Sequence, residues 1–179
     1  MKRKFYFLSI ALLLVALASE AQNIYLYYPP VTTGAGPGGI HADEVPLGSV
    51  QGGIGRGISA GSGREASAPA LSEYTLSKVY DKSSTAFLRL ATYGPASLEN
   101  YEIRFYSGEG AGEVLVLRIE LAEVLISGYS IAGQPCPTGN CPIVSESLSL
   151  NFTKIRITDE TNDQLPVYEW DIVRNRPNF

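Results

Sequence analysis

The sequence predicts a mainly β domain, either a small antiparallel β-barrel or a two-sheet sandwich, with one short α-helix on its flank. About seven runs of residues alternate between apolar and polar side chains with the two-residue period of a strand. Only one run carries both the start and the stop signals of a helix. Of the 179 residues, 45% are hydrophobic and 18% are charged, a composition typical of a folded domain with a core.

The residues before the helix contain three strand-like runs separated by loops. Residues 23–28 alternate regularly, and residues 29–39 have the glycine and proline content of a loop. Residues 44–59 hold many glycines, so we expect an irregular or bulged strand there. Residues 60–70 have the composition of an exposed loop, and residues 71–80 alternate again.

The helix is predicted in the stretch TAFLRLATY. Capping side chains precede this stretch and a glycine–proline pair follows it: Asp81, Ser83, Ser84, Gly94 and Pro95. Phe87, Leu90 and Ala91 have the spacing i, i+3, i+4, so one face of the helix is expected to pack on a core.

The motif SGEGAGE at residues 107–113 has two possible interpretations. Glycines that follow a strand can form a phosphate-binding loop, but such a loop needs a helix on its far side. Here a second strand follows, with Leu115 and Leu117 on one face, and the carboxylates of Glu109 and Glu113 would repel a phosphate. The motif therefore predicts a β-hairpin loop whose glycines supply positive φ.

Three further strands are expected after the hairpin, at residues 122–133, 146–160 and 166–173. The apolar face of the second of these changes side along its length. Leu148 and Leu150 share one parity, whereas Ile155 and Ile157 have the other. This change indicates a bulge near Thr153 or burial of the second half against a partner.

Residues 1–21 are predicted to be a signal peptide and residues 22–179 a single domain. A basic start and an apolar run are followed by small residues before Gln22, which is the pattern of a secretory leader. The alternative is a membrane anchor, but the run is short for a span of about 20 residues. We therefore expect export to the periplasm or the medium, without stable membrane insertion after cleavage.

The charge of the chain argues against nucleic acid as a partner. The net charge is −4, and loss of Lys2, Arg3, Lys4 and Glu20 with the leader makes it −6. An acidic chain without a basic run binds nucleic acid or anionic lipid poorly.

The two cysteines, Cys136 and Cys141, are expected to form a disulfide that closes a small loop, because exported chains are oxidised. A metal site would need about four ligands, and the single histidine, His41, is distant in sequence. A redox centre usually has two residues between its cysteines, and here there are four.

No motif argues for an enzyme, a cofactor or a metal. A Ser–His–Asp site would have to use His41, and no serine lies in a Gly-x-Ser-x-Gly turn. A pair of carboxylates could form a glycosidase site, but the sequence does not single out such a pair. The acidic turn DETNDQ at residues 159–164 lacks the spacing of a calcium loop.

The order of several stretches resembles the Hcp family, the tube protein of type VI secretion systems. The resemblance is carried by LSKVYDKSSTAFLRLATYG at residues 76–94, by the hairpin and following strand at 101–133, and by 146–160 with YEWDIVRN at 168–175. Residues 23–59 fit more loosely. The resemblance implies a small two-sheet β-barrel with one flanking helix and no catalytic residues. A leader peptide is not typical of this family.

The resemblance also implies hexameric rings that stack into a tube and carry or cap secreted effectors, with spike or sheath-like proteins as further partners. It places ring stacking in the glycine-rich loop of Gly57, Ser59, Gly61 and Arg64. It places a subunit interface on apolar residues of a second strand face: Val114, Val116, Ile155 and Ile157. Two alternatives are a secreted monomeric β-domain that binds a ligand or surface partner through its glycine-rich loops, and a secreted carboxylate enzyme.

The leader leads to a first prediction. Because the small residues before Gln22 match a signal peptidase site, exported protein should begin at Gln22. Intact mass spectrometry of the periplasmic and medium fractions measures this directly. A cytoplasmic product that retains Met1 would contradict the prediction.

Overall fold

Antiparallel strands make up most of the described chain. The structure is a computed structural model, and it describes residues 22–59, 66–95, 97–135, 143–161 and 167–179. In chain order the strands are β1 (Gln22–Tyr27), β2 (Val45–Leu47), β3 (Ser49–Gln51), β4 (Ile54–Gly55), β5 (Ala70–Leu71), β6 (Tyr74–Val79), β7 (Tyr101–Ser107), β8 (Val114–Ala122), β9 (Leu125–Gln134), β10 (Ile143–Asn151), β11 (Lys154–Asp159) and β12 (Val167–Asp171). The helices are α1 (Pro29–Thr32) and α2 (Ser84–Tyr93).

The strands form two main sheets and a small ribbon. The larger sheet has the order β12-β11-β8-β7-β1-β2, and the smaller has the order β3-β6-β10-β9. Strands β4 and β5 pair only with each other among the described strands. All recorded pairs are antiparallel. The predicted fold class is therefore confirmed in its sandwich form, with α2 as the flanking helix.

The chain passes from one sheet to the other at two points. The irregular strand predicted over residues 44–59 is divided into β2 in the larger sheet, β3 in the smaller sheet and β4 in the ribbon. The long strand predicted over residues 146–160 is likewise two strands, because β10 lies in the smaller sheet and β11 in the larger. Phe152 and Thr153 join them. The change of apolar face near Thr153 thus reflects a change of sheet.

The core lies between the inner faces of the two sheets. Its fully buried apolar side chains come from both sheets and from α2: Leu26, Val45, Leu76, Phe87, Ile103, Leu121, Leu148 and Leu150. Tyr28 and Tyr101 stack within this core, with ring centroids 4.1 Å apart. The period-two pattern of the sequence therefore identified the buried faces correctly.

Helix α2 begins and ends where its signals predict. The backbone N–H of Asp81 donates to the hydroxyl of Ser84 (2.9 Å), and the Asp81 carboxylate accepts from the N–H of Ser83 (2.8 Å). Gly94 ends the helix with a φ of +76°, and its N–H donates to the Leu90 carbonyl. No helix in the described part of the chain is long and apolar enough to span a bilayer.

The segment after β1 is more ordered than its composition predicts. Residues 29–39 were expected to form a loop, yet Pro29–Thr32 form a short helix and Gly39–His41 a 3₁₀ turn. Proline at the first helical position is favourable because that N–H would have no partner in the helix. Thr32 closes the turn, since its hydroxyl accepts from the N–H of Tyr28 (3.0 Å).

A buried ion pair joins the smaller sheet to α2. Lys78 and Glu146 lie opposite each other on β6 and β10, and both side chains are completely buried. Lys78 Nζ donates to the Glu146 carboxylate and to the Ser84 hydroxyl (3.1 Å), and it lies 3.0 Å from Asp81 Oδ1. The hydroxyl of Tyr129 donates to the other oxygen of Glu146. The first turn of the helix is thus held to the sheet by charged groups that compensate one another.

Removal of the buried cation should strongly destabilise the fold. Lys78→Met would leave the Glu146 carboxylate buried without its partner, and we expect the free energy of unfolding to fall by about 3–5 kcal/mol. The double variant Lys78→Met/Glu146→Met should recover much of this loss. Urea denaturation monitored by circular dichroism measures both. Lys82→Met is the control, because Lys82 is exposed in the same turn. Equal effects of the two single lysine variants would show that the buried pair does not hold the helix.

Candidate functional site

The glycine-rich loop at residues 108–113 is a hairpin turn, as predicted. It joins β7 to β8, which pair antiparallel along their length. Gly108 and Gly110 have φ values of +104° and +60°, which side chains rarely adopt. The loop therefore leads into a strand and lacks the helix that a phosphate site requires.

This loop delivers Glu113 to a buried histidine. The ring of His41 lies between two carboxylates: Nδ1 donates to Glu44 Oε2 (2.5 Å) and Nε2 donates to Glu113 Oε2. The other oxygen of Glu113 accepts from the side-chain amide of Asn23 on β1. Only 8% of the His41 side chain is exposed, and the exposed fractions of the Glu44 and Glu113 side chains are 3% and 6%. Two distant segments of the chain therefore meet at one imidazole ring, and Asn23 joins β1 to them through Glu113.

Aromatic and cationic side chains of the larger sheet surround this histidine. Tyr25 stacks on the ring with centroids 3.9 Å apart, and Tyr106 contacts it edge-on at 4.7 Å. Glu44 Oε1 accepts from Arg104 Nη1 (2.5 Å) and from the Tyr106 hydroxyl (3.0 Å). We call His41, Glu44 and Glu113 the histidine cluster.

The contacts of the cluster shift the pKa values of its members. Burial by itself would lower the pKa of His41, but hydrogen bonds to Glu44 and Glu113 outweigh it and raise that pKa. The hydrogen bond from His41 holds the pKa of Glu113 below its usual value. Burial, with the hydrogen bond to Glu44, raises the pKa of Tyr106 to about 12. The ring is therefore favoured in its protonated form, with both nitrogens donating.

This geometry does not suit a catalytic triad. A general base must have one ring nitrogen free to face a nucleophile. Both nitrogens of His41 face carboxylates instead, which fits a role in holding segments together. Among the described residues, no group of three potential metal ligands is placed to share an ion.

The predicted stacking loop lies on an exposed ribbon. Strands β4 and β5 form its base, and the N–H of Gly57 donates to the Ser67 hydroxyl (2.9 Å) near its described end. Every residue from 51 to 59 is exposed, including Ile54 (54%) and Ile58 (65%). Gly57 and Ser59 belong to this ribbon, whereas Gly61 and Arg64 lie outside the described residues.

The four residues predicted at a subunit interface differ in exposure. Val114 is 62% exposed at the start of β8, and Val116 is half-buried where the β7–β8 register shifts. Ile155 is only 1% exposed, and Ile157 packs on the core. The expectation that Ile155 and Ile157 need a partner to cover them is therefore wrong, because the change of sheet places them against the protein's own core.

Strand β9 is a candidate assembly surface that the sequence patterns did not identify. It is the outer strand of the smaller sheet, and its recorded pairing is with β10. Four consecutive residues, 130–133, are exposed, and Ile131 is 53% exposed. None of its ten residues is charged or is proline. That absence is visible in the sequence, but it becomes informative only once the strand is known to lie at an edge.

The outer face of the larger sheet is a second feature that was missed. Like charges lie opposite each other across β7 and β8, where Glu102 faces Glu120 and Arg104 faces Arg118. Opposite charges compensate each other along β7, because Arg104 Nη2 lies 2.6 Å from Glu102 Oε2. At the edge of the sheet the compensation runs across strands instead, because Arg156 Nε on β11 lies 2.8 Å from Glu169 of β12. Two-residue spacing of opposite charges within single strands was the available sequence signal.

Three sets of predicted features lie outside the described residues. These are the leader at residues 1–21, the cysteines Cys136 and Cys141, and residues 60–65 of the predicted stacking loop. The signal peptide and the disulfide stay predictions.

Solved structures show the same fold at low sequence identity. Hcp1 from Salmonella typhimurium matches with a TM-score of 0.68 at 14% identity, over 88% of this chain and 99% of that chain. A structure described as a type six secretion system protein, with no organism stated, has a TM-score of 0.73 at 16% identity, over 87% and 99%. A type VI secretion system effector from Yersinia pestis has a TM-score of 0.64 at 13% identity, over 83% and 98%.

Sequence comparison identifies the family. No curated protein matches the chain significantly. The family model described as "Type VI secretion system effector, Hcp" matches residues 33–158, which is well over half of the chain. This range contains the hairpin, α2, the histidine cluster and both passages between the sheets. The chain therefore belongs to the Hcp family of type VI secretion proteins.

Proposed function

We propose that this chain is a non-enzymatic structural subunit that assembles head-to-tail into rings of six. The rings stack through the ribbon that contains Gly57 and Ser59, together with the sequence-predicted loop residues Gly61 and Arg64. The assembly works outside the cytoplasm, because the first 21 residues have the pattern of a secretory leader. It carries or caps secreted effector proteins, as its resemblance to the tube protein of type VI secretion systems implies.

The observation that carries this proposal is the uncharged outer edge of β9. An exposed strand edge presents unpaired N–H and C=O groups, and soluble monomers usually protect such edges with charge or proline. The ten residues of β9 have neither protection. Its C-terminal half is also open on both faces, from residue 130 to 133. An edge of this kind is suited to pair with another copy.

The smaller sheet has a second edge, formed by β3, that makes ring closure possible. Strand β3 (Ser49–Gln51) lies at the opposite side of the sheet from β9. A contact between β9 of one copy and the β3 side of the next uses two different patches on each subunit. Contacts of this head-to-tail type close into rings when the rotation between copies is suitable. Val114 and Val116, which are not buried in the core, are proposed to flank the contact.

The ribbon supports the stacking part of the proposal. A two-stranded ribbon is marginally stable alone in water. This one leaves Ile54 and Ile58 more than half exposed, although its backbone is paired. Contact with a neighbouring ring would bury these side chains and stabilise the ribbon.

The mass of the purified mature protein tests the assembly. We expect size-exclusion chromatography with light scattering to give a hexamer, and negative stain to show rings. Ile131→Lys should shift the mass towards the monomer, because it places a charge on the edge of β9. Tyr93→Lys is the matched control, since Tyr93 is an 85% exposed residue of α2. It should leave the mass unchanged.

A different result would favour the alternative function. If the wild-type protein is monomeric from micromolar to millimolar concentrations and forms no rings, a secreted β-domain that binds a partner through its glycine-rich loops is the better account. If Tyr93→Lys disrupts the ring as strongly as Ile131→Lys, the ring is not built on the edge of β9.

A further inference from the structure

We propose that the histidine cluster is a pH-sensitive clasp. When the His41 ring is protonated, it ties the segment of residues 34–44 to the hairpin loop of residues 108–113. Loss of its proton releases the hairpin loop and leaves the other segment in place. This inference concerns the folded subunit and does not depend on ring formation.

The protonated state follows from the contacts of the ring. A carboxylate oxygen can only accept, so each nitrogen that faces one must carry a hydrogen. Nδ1 faces Glu44 and Nε2 faces Glu113. A ring with two N–H groups is an imidazolium, and its charge is opposed by two buried carboxylates. The closed arrangement therefore requires the proton.

The groups around the ring come from four elements. Tyr25 of β1 and Tyr106 of β7 contact its face and edge. Glu44 follows the 3₁₀ turn, and Glu113 ends the hairpin loop. Arg104 of β7 is the further cation, and it contacts Glu44 at 2.5 Å. The two carboxylates therefore differ in their cation contacts. Glu44 contacts both His41 and Arg104, whereas the recorded cation contact of Glu113 is with His41.

This difference between Glu44 and Glu113 decides which of the two hydrogen bonds of His41 is lost when the ring loses its proton. A neutral imidazole keeps one N–H and presents a lone pair at its other nitrogen. Glu44 keeps its contact with Arg104, which also pairs with Glu102, and its hydrogen bond from Tyr106. Glu113 keeps only its bond from Asn23 among the recorded side-chain contacts. The N–H of a neutral His41 therefore stays with Glu44, and the Nε2 lone pair repels Glu113.

The two segments also differ in their internal support. In residues 34–44, Gly34 N–H donates to the Asp43 carboxylate (2.8 Å), and Gly36 N–H donates to the Ala42 carbonyl (3.1 Å). A Cβ on Gly36 would lie 1.8 Å from the His41 carbonyl oxygen, so this segment is closely packed. Three more bonds, from the N–H groups of His41, Ala42 and Glu44, lie within the same segment, whereas the hairpin loop has two, from Gly112 and Glu113. The hairpin loop is thus the part that moves.

Movement of the loop would enlarge an existing cavity. A cavity of about 410 Å³ lies beside the cluster, lined by Tyr25, Ile40, His41, Gly110 and Glu113 together with two further glycines. Ile40 on one rim is 64% exposed, and Val114, next to Glu113, is 62% exposed. Opening of the clasp would admit water to the His41 ring.

The pH range follows from the direction of each pKa change. The pKa of His41 is raised above 6.5, so its contribution to stability is complete below 6.5 and is lost as the pH rises through the raised value. The pKa of Glu113 is lowered below 4.5, so its contribution is present above 4.5 and is lost as the pH falls through the lowered value. The clasp is therefore closed between the lowered pKa of Glu113 and the raised pKa of His41, and it opens as the pH rises through the latter.

The single histidine allows a direct test by nuclear magnetic resonance. In untagged mature protein, the imidazole signals arise from His41 alone. A titration from about pH 5 to about pH 9 spans the region in which histidine changes charge. We expect the wild-type His41 to titrate above 6.5, and Glu113→Gln to reduce its proton affinity by roughly tenfold. Glu109→Gln removes the same charge from an exposed position in the same loop and should leave the titration unchanged.

Hydrogen exchange measured on the same samples locates the movement. After correction for intrinsic rates, protection of amides 109–113 should fall by roughly tenfold as His41 loses its proton, because one strong contact is lost. Protection of amides 36–44 should stay constant. Glu113→Gln should remove the pH dependence, because its amide can accept from or donate to either form of the ring.

Two results would overturn the proposal. One is a wild-type His41 that titrates at or below 6.5 in folded protein. The other is protection at residues 109–113 that does not change across the titration, or that changes equally in wild type and Glu113→Gln. If Glu113→Gln does not fold, the wild-type titration and exchange data decide the question without it.

Discussion

The passage of the chain between the sheets at Phe152 and Thr153 is the constraint on which the rest of the fold depends. Strands β10 and β11 belong to different sheets but are separated by only these two residues, so the two sheets must lie close together there. Phe152 enters the core, and the N–H of Thr153 donates to the Ala122 carbonyl (3.1 Å). The Ile172 N–H then donates to Thr153 (2.9 Å), which ties the end of the chain to the same point.

Charged groups attach the remaining elements to this sandwich. Helix α2 contributes Phe87 to the core, but its first turn is held by the buried pair of Lys78 and Glu146. The segment between β1 and β2 has few apolar side chains, and His41 with its two glutamates holds it to the larger sheet. Ionic contacts cost desolvation energy, but they have defined directions. They orient elements that apolar contact alone would hold loosely.

The sequence predicted the regular parts of the fold well and the candidate site poorly. Alternation identified β7, β8 and the buried face of α2, because long periodic runs carry a clear signal. The short strands β2 to β5 have two or three residues each, too few to show a period. Hence about seven strands were expected where the described chain has twelve. The resemblance to Hcp implied the same two-sheet architecture with one flanking helix that the periodicity predicted.

The site was missed because its members are distant in sequence. His41 and Glu113 are 72 residues apart, and nothing local links a histidine in a glycine-rich segment to an acid in a hairpin turn. Lys78 and Glu146 did carry a signal, since each shares the parity of neighbouring core leucines. A charged residue on an apolar strand face is a reason to look for a partner of opposite sign on another apolar face.

The unprotected edge of β9 has a consequence for biogenesis. Another copy of the protein can pair with an apolar strand edge in a defined assembly, but chains can also pair with the same edge without a defined arrangement. Pairing of the second kind starts aggregation. The hazard is greatest while the chain is newly synthesised, before any partner covers the edge. Cells that produce this protein in quantity would then depend on chaperones, or on assembly that outpaces random pairing, to keep it soluble.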